Sequence, residues 1–364
     1  MIINEIIDKD CEQIIEENNG LEELRNKTFL ITGASGMVGS YFVYVLMKLN
    51  EKYNSNITII PVVRNINKLN TQVLDDPYVH PIVQDVCDKM KYEGNVDYIV
   101  HAASPASPKI MKEHPVETNF ANTIGTANTL KFALEKKVDG YLYISSREIY
   151  GQPLPGQKLF TEYGQLGQVD PLVPRNGYAE GKKAAENMCS GFKQEYGLNT
   201  KIVRLAHTYG PGMSIYDGRV QADFLKNVVN HENIVLKSDG SSIRTYTYIS
   251  DAISAMFKVL LHGEDIVYNI ADERCETSIR KLAETMVEIY PERNLQLIFD
   301  IPESGKNQGT AAFTLGILSS EKIRNELGWN AKYSIKDGFK RTLEHIETEL
   351  EKENAKVKKI GQIK

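Results

Sequence analysis

Tyr178 and Lys182 stand four residues apart, and Ser146 lies 32 residues before the tyrosine. On a helix, positions four apart share one face, a turn from each other. A phenol with its ordinary pKa near ~10 is a poor base at neutral pH, but a neighbouring ammonium favours the phenolate. Tyr-x-x-x-Lys can therefore make a tyrosine into a general acid and base, and a serine hydroxyl at a strand end can hold an alcohol or ketone beside it. The spacing alone is common, and a coincidental surface pair is its plain reading. A second constellation changes that. Within TFLITGASGMVGSYFVYVLMKL, residues 28–49, three glycines fall at Gly33, Gly36 and Gly39. Glycine there lets a pyrophosphate approach bare backbone N–H groups at a helix N-terminus, where the dipole favours negative charge. Gly33, Ser35, Gly36, Met37, Val38 and Gly39 are the expected lining, with side chains at Gly33 and Gly36 expected to hold the ligand off.

The elements around these residues follow from periodicity. Phe29-Leu30-Ile31 is an apolar run suited to a buried strand, and Val38, Phe42, Val45, Leu46 and Leu49 recur at helical spacing. Ile57–Val63 supplies a second strand, completing a strand–helix–strand unit. It ends at Arg64. An acidic residue there would bond a ribose 2′-OH, whereas arginine suits a 2′-phosphate. The expected cofactor is NADP in preference to NAD, the alternatives for Arg64 being stacking on adenine or facing solvent. A third strand at 82–86 places Asp85 and Val86 near the adenine, unless Asp85 caps a turn. A fourth, 98–104, closes in Ala102, Ala103 and Ser104, small enough for backbone to lie against the cofactor. A helix from Pro115 to Glu135 carries Asn122, which is either structural or beside the cofactor. A strand at Tyr141–Ser146 delivers the serine, a Pro- and Gly-rich stretch at 151–177 suits substrate loops, a helix over Tyr178–Tyr196 carries the Tyr/Lys pair, and a strand follows at Lys201–Leu205. This is an α/β chain with a doubly wound parallel sheet. The expected division is a helical extension at 1–26, an NAD(P)-binding domain at 27–210, a smaller C-terminal α+β substrate lobe at 211–350, partly interleaved with the first, and a frayed Lys/Glu-rich tail at 351–364. In the extension, Ile2, Ile3, Ile6, Ile7, Ile14, Ile15, Leu21 and Leu24 form an apolar face for the body or for a partner subunit.

With 364 residues, 41% hydrophobic and 25% charged, the chain has room for such a core. A formal net charge of −5 gives no general attraction to nucleic acid or to an anionic membrane surface. The first residues, MIINEIIDKDCEQ, lack the flanked apolar core of a signal peptide, and no apolar run approaches the ~18 residues of a membrane span. A cytoplasmic location is expected. Cys11, Cys87, Cys189 and Cys275 lie far apart, with no metal-ligand spacing, and read as reduced thiols.

Several segments carry a resemblance: GASGMVG at 33–39, HAASPASP at 101–108, NTIGTANTL at 122–130, SSREIYG at 145–151, YAEGK at 178–182, RLAHTYGPGM at 204–213, DGRVQADF at 217–224 and RTYTYISD at 244–251. From about Lys27 to Phe339 the chain is similar to extended short-chain dehydrogenase/reductases of the NAD-dependent epimerase/dehydratase kind, which act on nucleotide sugars. In wording it is nearest the UDP-glucuronate decarboxylases. The resemblance implies that Tyr178 exchanges the proton of a sugar hydroxyl, usually at C4, that Ser146 bonds the same oxygen, and that Lys182 also holds the nicotinamide ribose. It implies that Arg219 and Arg244 grip the substrate phosphates, a task suited to the planar guanidinium, and that Ser107 and His207 lie among the substrate contacts. Glu148 matches an acid that works at C5 in dehydratases, with a capping role as the alternative. A homodimer through two helices is family habit.

The departures bear on the reaction. Dehydratases have Asp-Glu at 147–148, whereas Arg147 cannot protonate a leaving hydroxyl. The decarboxylases carry a small hydroxyl residue at 147 and Lys where Phe120 stands here. Arg147 would then clamp a carboxylate, or reach a phosphate instead. His207 and Asp223 replace the usual asparagines. The expected activity is NAD(P)-dependent oxidoreduction at C4 of a nucleotide-linked sugar, as a 4-epimerase or 4-keto reductase. The alternative is UDP-glucuronate decarboxylation, and the reading from another class is a non-catalytic NADP-binding regulator.

Overall fold

The computed structural model describes residues 4–301 and 316–361, so the expected apolar positions Ile2 and Ile3 lie outside it. Its centre is a seven-stranded, all-parallel sheet formed by Thr28–Thr32, Thr58–Val63, Ile82–Val83, Tyr98–His101, Gly140–Ser146, Thr200–Leu205 and Val267–Ile270. Numbered along the chain, these strands lie in the order 3-2-1-4-5-6-7. The order reverses between Thr28–Thr32 and Tyr98–His101, whose carboxyl ends meet with Thr32 opposite His101. Ligands of open α/β sheets bind in the crevice at such a point. Near-continuous apolar runs such as Phe29-Leu30-Ile31 are what a sheet covered on both faces requires, and all three side chains are fully buried.

Helices Met37–Tyr53 and Ile249–His262 cover one side, and Pro115–Lys136 packs along Gly177–Tyr196 on the other. That pairing is close: a Cβ at Gly181 would stand 2.9 Å from the Cβ of Asn122. The third strand is shorter than the expected 82–86, because the Asp85 carboxylate accepts from Cys87 N at 2.9 Å and turns the chain away. After Leu205 the chain builds a second set of elements, with His207–Tyr209, Ile243–Tyr248 and Glu276–Ser278 forming a small mixed sheet. It returns to the main sheet at Val267–Ile270. Residues 351–361, expected as a frayed tail, continue the helix Ile335–Gly361.

The N-terminal helix, Glu5–Glu17, docks on the body against Met37–Tyr53 and Ile249–His262. Asn4 caps it by accepting from Ile6 N and Ile7 N. Its Asp10, with no exposed surface, accepts from Tyr41 Oη at 2.8 Å and Tyr248 Oη at 2.9 Å and is paired with Arg341. The four cysteines are free thiols, Cys87 alone being less than fully buried. Among the described residues no helix is long and apolar enough to cross a membrane.

Candidate active site

The three glycines of the first turn have different causes. Gly33 has φ +66°, and a Cβ there would lie 2.8 Å from the backbone of Ala102 and Ala103. A Cβ at Gly39 would collide with the Gly33 carbonyl. Both are therefore required by the chain itself, and for Gly33 this replaces the expectation of a ligand as the cause. Gly36 is the exception: its Cβ would meet only Gly33 O, at 3.3 Å, and otherwise open space. The helix it begins has no side-chain cap among the described residues, which leaves its first-turn N–H groups for a ligand, and Met37, Val38 and Gly39 line a cleft. This cradle fits a dinucleotide pyrophosphate.

The cleft floor is held by a polar bridge. Thr32 Oγ1 accepts from Ala103 N at 3.2 Å and lies 2.8 Å from His101 Nδ1, while His101 Nε2 lies 3.2 Å from Thr126 Oγ1. Burial, helped by Lys182, pushes the His101 imidazole down to about 3, so it is neutral. Ala102 and Ser104 line the cleft above it.

Ser146, Tyr178 and Lys182 line the same cleft. Ser146 ends the fifth strand, and its hydroxyl caps the short turn Arg147–Tyr150 by accepting from Glu148 N at 3.2 Å. Tyr178 and Lys182 occupy the first turns of Gly177–Tyr196. Lys182 Nζ donates to Ile144 O at 2.6 Å and sits 4.7 Å from the Tyr143 ring centre and 5.7 Å from that of Tyr178. The expected depression of the phenol by its ammonium neighbour is not what the structure shows. Burial pushes Tyr178 up to about 12, with Glu148 adding to the rise and the Ser146 hydroxyl, Arg219 and Arg175 opposing it. Burial also pulls Lys182 down to about 7. The resting pocket thus holds a protonated phenol, a proton donor, beside a lysine poised between its two forms.

The far end of the cleft is electropositive. Arg219 lines it, donating to Ala106 O at 2.7 Å and lying 3.5 Å from Asp217, and Ser107 donates to Asp217 O at 2.8 Å. His207 also lines it. Its Nδ1 is buried with no partner among the described residues, and burial together with Arg147, Arg244 and Arg219 keeps the ring neutral. Arg244 donates to Ile243 O at 2.7 Å. Arg147 is 6% exposed and donates to Gly316 O at 3.1 Å, and burial lowers its guanidinium to about 10. The Glu148 carboxylate is held in a fork by Arg175, through NH1 and, at 2.7 Å, through NH2.

Other expected site residues stand apart from this cleft. Ser35 lines a small adjoining pocket with Lys68. Arg64 is exposed beyond the second strand. Asp85 makes the turn that was its alternative, and Val86 would meet a Cβ on Gly125 at 2.8 Å. Asn122 is buried beneath Gly181, its Nδ2 on Thr118 O at 2.8 Å and its Oδ1 without a partner among the described residues.

Residues 29–271 match the NAD dependent epimerase/dehydratase family. The chain belongs to that family. It is 30% identical over 317 residues to UDP-glucuronic acid decarboxylase 6 of Arabidopsis thaliana, covering 86% of this chain and 87% of the relative. Among solved structures it resembles UDP-glucose 4-epimerase of Thermotoga maritima with UDP-glucose, at TM-score 0.73 and 23% identity over 89% of this chain and 99% of that one. It also resembles a Bordetella bronchiseptica enzyme in complex with NAD+ and UDP, at TM-score 0.72 and 21% identity over 94% and 98%. These likenesses show the fold.

Within this family member, sequence reasoning passed over Arg175, Glu186 and Arg204. A signal for two of them was present: Glu186 is one turn beyond Lys182 on the same face, and Arg204 opens the RLAHTYGPGM segment.

Proposed function

We propose that the protein oxidises C4 of a UDP-linked hexuronic acid and releases its carboxyl carbon, as a UDP-glucuronate decarboxylase. The observation that carries this reading is Arg147. A buried guanidinium with five donors and one backbone carbonyl partner among the described residues, supported only at a distance by the Glu148 carboxylate that Arg175 holds, is a charge that an anionic ligand would satisfy. It adjoins Ser146, and the curated relative named above is a UDP-glucuronic acid decarboxylase. Neither Phe120, which is half-exposed, nor Arg147 is among the residues lining the cleft, but Arg147 lies behind it, next to Ser146 and close enough to act on His207, both of which do line it.

In this reading the glycine turn and the first-turn N–H groups hold the dinucleotide, which when bound supplies hydride exchange at C4. For C4 oxidation Tyr178 must first lose its resting proton to solvent; as phenolate it takes the proton of the C4 hydroxyl that Ser146 orients, and as phenol it returns one when C4 is reduced. Lys182 lies beneath them and also holds the nicotinamide ribose. Arg219 and Arg244 take the diphosphate. A C4 ketone stands β to the C6 carboxylate, so the electrons of the C5–C6 bond can pass into the carbonyl as carbon dioxide leaves. Arg147 also favours a second reading, the 4-epimerase or 4-keto reductase, since a cation paired with the carboxylate resists loss of the negative charge. UDP-glucuronate labelled at C6 separates decarboxylation from epimerisation: released carbon dioxide supports the first, a retained label in a C4 epimer supports the second, and no turnover overturns both of these, leaving the 4-keto reductase to be tested with a 4-keto nucleotide sugar and reduced dinucleotide. Arg147→Met is expected to weaken UDP-glucuronate binding about tenfold or more while leaving UDP-glucose unchanged.

Arg64 supports NADP as the dinucleotide, and paired NAD and NADP titrations of the protein and of Arg64→Ala test this. Val116, Phe120 and Ile124 form an exposed apolar stripe on Pro115–Lys136. A second copy of the chain covering that stripe would make a homodimer, which Phe120→Asp should convert to monomer in light scattering.

A further inference from the structure

A buried ammonium needs a counter-charge, and the surroundings of Lys182 narrow where it comes from. The lysine is 3% exposed and, among the described residues, its one hydrogen bond is to the Ile144 carbonyl. The fifth strand turns the Tyr143 ring toward it, and the fourth strand contributes His101, which is neutral. Its own helix contributes Tyr178, Cys189 and Glu186, and the neighbouring Pro115–Lys136 places the uncharged Asn122 against the adjacent Gly181. Among the described groups acting on Lys182, Glu186 is the carboxylate.

Glu186 is not simply paired with the lysine. Its side chain, 11% exposed, turns toward the sheet. Arg204 Nε reaches Oε1 at 3.0 Å and Oε2 at 3.1 Å, Arg204 NH2 reaches Oε2 at 2.6 Å, and the Ser145 hydroxyl donates to Oε1. Ser145 directly precedes Ser146, and Arg204 lies three residues before His207. Arg204 is fixed in turn by bonds from NH1 to Tyr150 Oη at 2.8 Å and to Glu162 O at 2.9 Å. One carboxylate thus joins the helix face bearing Tyr178 and Lys182 to the strand that ends in Ser146 and to the strand that leads to His207.

We infer that Glu186 is a positioning residue whose charge, partly drawn off by Arg204, sets how far Lys182 is protonated while tying the Tyr/Lys helix to the serine strand. A carboxylate fully committed to Lys182 would lock it as ammonium, and no carboxylate would leave it as amine. The Arg204 fork holds the balance between these. The inference does not depend on which sugar is bound.

The test reads NADPH affinity by fluorescence from pH 6 to 10 in the full-length protein, taking as the Lys182 signal the inflection that Lys182→Met removes. Glu186→Gln is expected to move that inflection down by about one pH unit, and Arg204→Lys, which loosens the fork, to move it up. Glu186→Asp, which keeps the charge, should return most of the shift. The two primary variants move in opposite directions, so either one that folds decides the matter. Unchanged inflections, or a wild-type protein with no inflection dependent on Lys182, would overturn the inference and leave Glu186 a purely structural tie.

Discussion

Alanine at two glycines of the same turn should produce opposite defects. At Gly33 the backbone is left-handed, φ +66°, and the new methyl would stand 2.8 Å from the Ala102 carbonyl and the Ala103 Cα. An L-residue in that conformation costs about 1 kcal/mol, and overpacking adds roughly 1–3, giving a loss of about 2–4 kcal/mol in folding stability. At Gly36 the backbone is extended, φ −87° and ψ 163°, and the methyl meets one protein atom at 3.3 Å. Stability should stay within ~0.5 kcal/mol of wild type, or rise slightly through the unfolded chain. The methyl does occupy the space above the first-turn N–H groups, where the pyrophosphate must come close. Binding should fall at least ~10-fold, or about 1.4 kcal/mol. Urea denaturation measures the first quantity and fluorescence titration with NADPH the second. A Gly36→Ala protein that binds NADPH like wild type would refute the assignment of this cradle to a dinucleotide, and one that unfolds as readily as Gly33→Ala would refute the contrast between the two glycines.

Tyr178→Phe removes the exchanging proton and nothing else of volume. Turnover should fall by roughly 10²–10⁴, with NADPH affinity within about twofold. The neutral His101 links folding to pH. Its folded value, about 3, lies below the ordinary ~6.5, so the folded state binds fewer protons than the unfolded chain; its contribution is complete above ~6.5 and is lost as pH falls toward 3. That gap corresponds to roughly 4–5 kcal/mol at most. Urea midpoints between pH 7 and 4.5 should decline for wild type and decline less for His101→Gln, and parallel declines would exclude the histidine. Asp10→Ala should cost roughly 2–4 kcal/mol, somewhat under the ~3–5 for breaking a fully buried pair, because Arg341 keeps some contact with water. Calorimetry measures it, and an unchanged melting temperature would mean that the N-terminal helix is held by its apolar face alone.

What the sequence conveyed well was everything carried by period and by local turn chemistry. The run Phe29-Leu30-Ile31, the helical recurrence after Gly36 and the small residues after His101 each describe one segment's own burial, and the parallel sheet assembles from them. The Tyr/Lys spacing likewise needs only helix geometry. The failures share a cause, which is that a charge's effect depends on what surrounds it. Lys182 was expected to make Tyr178 acidic, but both side chains are buried, and in a low-dielectric site each disfavours its own charged form more than it aids its neighbour's. The apolar face of Glu5–Glu17 was visible in the isoleucines, yet whether it met the body or a partner turned on Asp10, an acidic residue that the sequence would leave in solvent.

Arg147 shows the same point at the substrate end. As a letter it differs from the dehydratase acid and from the decarboxylase hydroxyl, and reads only as a departure. In the structure the acids near this end are otherwise engaged, Glu148 by Arg175 and Asp217 beside Arg219, so the guanidinium of Arg147 keeps its charge without a carboxylate partner among the described residues. Burial and Arg244 press that charge toward neutrality, Glu148 and Tyr150 oppose them, and the guanidinium stays charged at working pH. A neutral hexose would leave the guanidinium uncompensated, whereas a uronate would pair with it and gain the strength of a charge-assisted hydrogen bond. Discrimination between UDP-glucuronate and UDP-glucose should therefore collapse when position 147 loses its charge, and should persist in Arg147→Lys in weakened form, since an ammonium supplies the charge without the planar fork.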